Sequence, residues 1–158
     1  MESSWIDWAA ASAACALFAA GAVTDLRSRT VPNAIPLALL ALFAVHVAAG
    51  PAGPLWAHAA VGAVLLVLGF ALWCTGKFGA GDAKLAAVAG LWVGAADLSL
   101  FLLGLGVCAL LLSAWALVAY ARESRMRSDL PFAVAIVPPT LVVMVPRALS
   151  RDIPWSIP

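Results

Sequence analysis

Two short stretches hold the residue types able to do chemistry: Asp25-Leu26-Arg27-Ser28-Arg29 and Gly79-Ala80-Gly81-Asp82-Ala83-Lys84-Leu85. Each sets a carboxylate at the edge of an apolar run. In so apolar a chain, an ionisable group beside a membrane segment points to function. Two carboxylates close enough to share one proton can hydrolyse a peptide bond. One draws a proton from water while the other protonates the carbonyl oxygen, and the two then exchange roles. Asp25 and Asp82 therefore suggest a membrane aspartyl protease. Asp25 closes a helix, where the dipole disfavours negative charge, and Asp82 opens one, where it is favoured. On that ground Asp25 is expected to carry the shared proton more often.

The neighbours add to this pattern. Gly79 and Gly81 allow backbone angles closed to other residues and close approach of an extended substrate strand. Lys84 either snorkels to the interface or holds an acidic group. Asn33 is expected to cap a helix or bond near Asp25, the former being the plainer role. The plainer alternatives for the acids are an N-cap at Asp82 and a solvated Asp25 paired with Arg27 or Arg29. No Gly-x-Ser-x-Gly or His-Glu-x-x-His occurs, which argues against serine and zinc proteases. Cys15, Cys74 and Cys108 lie in apolar runs without Cys-x-x-Cys spacing and read as small hydrophobes. His46 and His58 lack ligand spacing as well, so neither a metal nor a cofactor is expected.

These residues need elements to position them. Of 158 residues, 65% are hydrophobic and 11% charged, and the mean hydropathy is +1.03. A soluble domain is nearer half apolar and a quarter charged, so an all-α polytopic membrane protein is expected. Six apolar runs stand out, roughly Trp5–Thr24, Asn33–Ala49, Leu55–Thr75, Ala83–Ala96, Leu98–Ala121 and Phe132–Leu149. Most approach the roughly 20 residues that span a bilayer. The fourth is too short to span alone and reads as a helix buried among the others. Pro32 and Pro131 would open helices two and six. Pro36 falls one turn into the second run, and Pro138-Pro139 should kink or break the sixth. The chain reads as one domain over residues 1–158.

Basic residues set the orientation. Arg27, Arg29, Lys77, Lys84, Arg122, Arg125 and Arg127 follow runs one, three and five. Only Arg147 and Arg151 lie on the other side, with Glu2, Asp7, Asp97 and Asp152. The positive-inside rule makes the first set cytoplasmic and both termini extracytoplasmic. Trp5, Trp8, Trp56, Trp92 and Trp155 then fall near the outer interface as an aromatic belt. Asp25 and Asp82 share the cytoplasmic side. The acidic start, Glu2 and Asp7, is unlike a cleavable signal peptide. A net charge of +1 gives no sign of a nucleic-acid partner.

Three segments in order, Asp25 to Asn33, Gly79 to Leu85, and Pro131-Phe132-Ala133-Val134-Ala135-Ile136, resemble the type IV prepilin peptidases. The resemblance spans nearly the whole chain; its first two motifs are specific and the third is supportive. It implies that Asp25 and Asp82 form the catalytic pair. The implied reaction cleaves short basic leaders from prepilins and pilin-like proteins at the cytoplasmic face of the bacterial inner membrane. Larger members carry an N-terminal Cys-x-x-Cys zinc region that N-methylates the product. No such cysteines occur here, so the chain is most similar to the peptidase-only branch of tight-adherence (Flp-type) pilus systems. Archaeal preflagellin peptidases are the nearest rival. Outside this class stand a small transporter or channel, with Asp25 and Asp82 as ion or proton ligands, and a noncatalytic assembly subunit. The sequence does not specify an oligomeric state.

Overall fold

The computed structural model describes residues 3–49, 54–76, 78–123 and 130–150. Six helices and no strand occur among them. They are α1 (Ser3–Ser28), α2 (Ala34–Ala49), α3 (Leu55–Cys74), α4 (Ala80–Val93), α5 (Leu98–Glu123) and α6 (Ala133–Ser150). Three, Trp5–Ser28, Leu55–Cys74 and Leu98–Ala119, are long and apolar enough to cross a bilayer, and Ala34–Ala49 and Ala133–Arg147 are shorter apolar helices. Leu103, Leu110 and Leu117 form an outward stripe on α5, each more than two-thirds exposed. A soluble monomer does not leave so much continuous apolar surface to water. The chain is an all-α membrane protein.

The short fourth helix is the centre of the bundle. Ten of its 14 residues are buried, and it packs on α2, α3, α5 and α6. Small residues bring it close to its neighbours, as is usual where lipid supplies no hydrophobic drive between helices. At Gly69 of α3, a Cβ would fall 2.8 Å from Ala83 Cβ and 2.9 Å from its Cα. Only glycine fits that approach.

Several local features depart from the expectations. α1 continues past Asp25 to Ser28, so the acid lies inside its last turn. There the Ser28 hydroxyl donates to Thr24 O at 2.8 Å, and Arg29 turns the chain with φ 55° while its N–H donates to Asp25 O at 2.9 Å. α6 runs unbroken through Pro138 and Pro139. Its first turns are enclosed by neighbours, with Ala133, Ala135, Ile136 and Val137 all buried. Surrounding helices of this kind hold a proline-bearing helix together in a membrane.

Trp92 is not part of an outer belt: it is 4% exposed, and its indole N–H donates to Leu39 O at 3.2 Å. Trp5 and Trp56 are largely exposed, at 65% and 75%. The end of the bundle remote from the acids holds two side-chain pairs, one of them largely enclosed. Asp7 pairs with His46 and Asp97 with Arg147. His46 lies 5.1 Å from the Trp92 ring, centroid to centroid. Arg147 also donates to Val93 O at 2.8 Å and to Trp92 O at 3.4 Å, the final carbonyls of α4. His58 Nδ1 bonds Leu91 O at 2.7 Å. Both histidines thus serve the bundle interior. Expectations for Glu2, Lys77, Arg125, Arg127, Arg151, Asp152 and Trp155 lie outside the described residues.

Candidate active site

Three helix ends meet around the two acids. The last turn of α1 carries Asp25, the first turn of α4 carries Asp82, and α6 begins beside both. The carboxylates are 3% and 7% exposed and lie within electrostatic range of each other. The Ala133 N–H, the first of α6, donates to Asp25 Oδ2 at 3.1 Å. It also lies within reach of the Asp82 carboxyl. The first N–H groups of a helix have no partner within that helix, so they are available to an anion. One backbone donor thereby lies beside two acids that are far apart in sequence.

This geometry changes the dipole argument. Asp82 faces the N-terminal end of its own helix, α4, but Asp25 faces the N-terminal end of α6. Both acids meet the positive end of a helix. Asp25 also lies in the last turn of α1, so of the two it alone meets a negative helix end as well.

Asp82 is not the N-cap of α4. Gly79 holds that position with an extended backbone (φ −74°, ψ 140°) and no side-chain cap. Asp82 stands three residues further on and folds back toward Gly79, bonding its backbone, as the acid of a capping box does. A Cβ at Gly79 would lie 2.7 Å from Asp82 Oδ2. The glycine makes room for the carboxylate, and its φ is one that any residue could adopt. Gly81 is approached by the chain itself: a Cβ there would meet Val31 Cβ at 3.0 Å and Val31 O at 3.1 Å. The connection between α1 and α2 is seated on it, which fixes the two acidic segments together.

The remaining candidates spread outward. Lys84 Nζ donates to Asn33 Oδ1 at 2.8 Å, tying α4 to the start of α2. Neither contacts Asp25 through that bond. Pro32 O accepts the Ile35 N–H at 3.0 Å as α2 opens, and buried Pro131 accepts the Val134 N–H at 3.1 Å as α6 opens. Arg29 acts electrostatically on Asp25, and Arg27 is exposed. Phe78 and Phe132 stack with centroids 5.0 Å apart, joining the segments that precede α4 and α6. Neither that ring pair nor the Ala133 N–H was singled out by sequence reasoning. A Phe in each flanking segment was the only available signal for the pair; a backbone donor has none. Among the described residues no three His, Cys, Asp or Glu side chains gather as a metal site requires.

A family model described as the type IV leader peptidase family matches residues 12–120. The matched span includes both acids, the Gly79–Asp82 turn, Asn33 and Lys84, and it ends before α6. No curated protein and no solved structure matches the chain. The matched span covers well over half of the sequence, and the chain belongs to the type IV leader peptidase family.

Proposed function

We propose that the chain is an aspartic endopeptidase that removes short basic leaders from type IV prepilins and pilin-like proteins, Flp-type ones in particular. The observation that carries this reading is the pair of buried aspartates brought within electrostatic range of each other, beside the Ala133 N–H that donates to Asp25. Asp25 and Asp82 are the catalytic residues and a water is the nucleophile. Asp82 Oδ1 supports this, being buried with no protein hydrogen-bond partner among the described residues. A buried acceptor in that state calls for a donor, and a hydrolytic water is the donor this reaction uses. One carboxylate takes the water's proton as the other donates to the scissile carbonyl oxygen. The Ala133 N–H orients Asp25, while Gly79 and Gly81 set the position of Asp82.

In this reading the acid end faces the cytoplasm of a bacterial inner membrane. Arg27, Arg29 and Lys84 at that end fit the orientation. A leader would stay in the aqueous layer while the hydrophobic helix of the prepilin remains in the bilayer. The acids lie at helix ends, whereas transporter sites lie near the bilayer midplane.

The test is co-expression of a candidate prepilin with wild type, Asp25→Asn and Asp82→Asn, with membrane abundance measured for each. Cleavage should fall by about 100-fold or more in both variants. Undiminished cleavage in either removes that acid from the mechanism.

A further inference from the structure

On the flank of the bundle, α2, α3 and α4 enclose an open groove of about 540 Å³. Leu37 and Leu40 of α2 and Ala63 and Leu66 of α3 form its exposed sides. Gly62 and Ala87 form part of its floor. The charged and amide groups in this lining, Lys84 and Asn33, both sit at the acid end. The groove is therefore amphipathic along its length: polar at one end and hydrocarbon-like beyond.

The apolar lining runs along the groove from Asn33 to Leu40 on α2 and from Lys84 to Leu91 on α4, about 10 Å at 1.5 Å per residue. Acyl chains match that lining in polarity. The polar end complements an anion. Lys84 has three ammonium donors and gives one to Asn33 Oδ1 at 2.8 Å. With its oxygen so engaged, the Asn33 amide turns its NH2 to other acceptors. Basic pockets between membrane helices hold anionic headgroups in this manner.

We propose that the groove is a binding site for an anionic phospholipid of the surrounding bilayer. The phosphate sits on Lys84 Nζ and the Asn33 amide, and the acyl chains lie between Leu37–Leu40 and Ala63–Leu66. The site does not depend on the reaction the two acids perform.

The experiment reconstitutes the full chain in nanodiscs of mixed phosphatidylglycerol and phosphatidylcholine and counts retained lipid by native mass spectrometry. Wild type should retain phosphatidylglycerol with about tenfold preference, and Lys84→Arg should keep that preference. Lys84→Met should abolish it. Ala63→Phe, which fills the groove from its exposed side, should release the lipid with Lys84 intact. Unchanged retention in either Lys84→Met or Ala63→Phe overturns the proposal. So does a photo-crosslinker at Leu66 that captures a co-expressed prepilin in place of phospholipid.

Discussion

The two ends of this bundle handle charge in opposite ways. At the end remote from the site, each described acid has a side-chain partner: Asp7 with His46, and Asp97 with Arg147. At the other end, Asp25 and Asp82 lie within electrostatic range of each other, and the nearest donor is a backbone N–H, that of Ala133, which Asp25 accepts. An ion pair between side chains holds helices in place. Two acids that face each other cost stability unless something intervenes, and such costs persist in proteins mainly where chemistry uses them. On the proposed reading, the contrast separates a fastening end from a reacting end within one helix, α4.

Three substitutions break or sharpen that separation. The largest effect is expected for Ala133→Pro. Proline is tolerated at the first position of a helix, but it removes the N–H that Asp25 accepts. Leader cleavage should fall about 10- to 100-fold at normal membrane abundance, in line with losing a hydrogen bond to a charged group. Equal cleavage by this variant would show that this donor is incidental. Next comes Arg147→Met, which unfastens the last carbonyls of α4. It should lower stability by about 2 kcal/mol, read by thermal melting in detergent. Turnover per folded molecule should stay within about twofold. A turnover loss as deep as that of Asp82→Asn would merge the two ends into one unit. The smallest effect belongs to Asp7→Asn, which keeps an oxygen acceptor beside His46: about 1 kcal/mol of stability and no change in cleavage.

The acids were legible in the sequence because charge is costly in an apolar chain, so its few carboxylates stand out against the background. The helices were legible for a related reason, as hydrophobic runs interrupted by glycine, proline and charge. Trp92 was misread because hydropathy places a residue along the membrane normal and says nothing of which way it points. Only the packing of α4 at the centre turns that indole inward. Asn33 and Lys84 are distant in sequence, and no local pattern announces their bond. The Ala133 amide was invisible for a deeper reason: every residue but proline has one, and its importance lies wholly in where α6 starts.

α6 itself has a mechanical consequence. Proline nitrogens at 138 and 139 have no hydrogen to give, so the Val134 and Ala135 carbonyls lose the helical donors they would otherwise have. The opening turn of α6 is thereby uncoupled from the hydrogen-bond ladder below it. Beyond its own turn bonds, Val134 N–H to Pro131 O and Ile136 N–H to Phe132 O, its stiffness is borrowed from surrounding side chains and from the carboxylate above. Deuterium uptake at the Ala133 amide would consequently report the occupancy of Asp25 Oδ2 as an acceptor, with little contribution from fraying propagated along the rest of the helix.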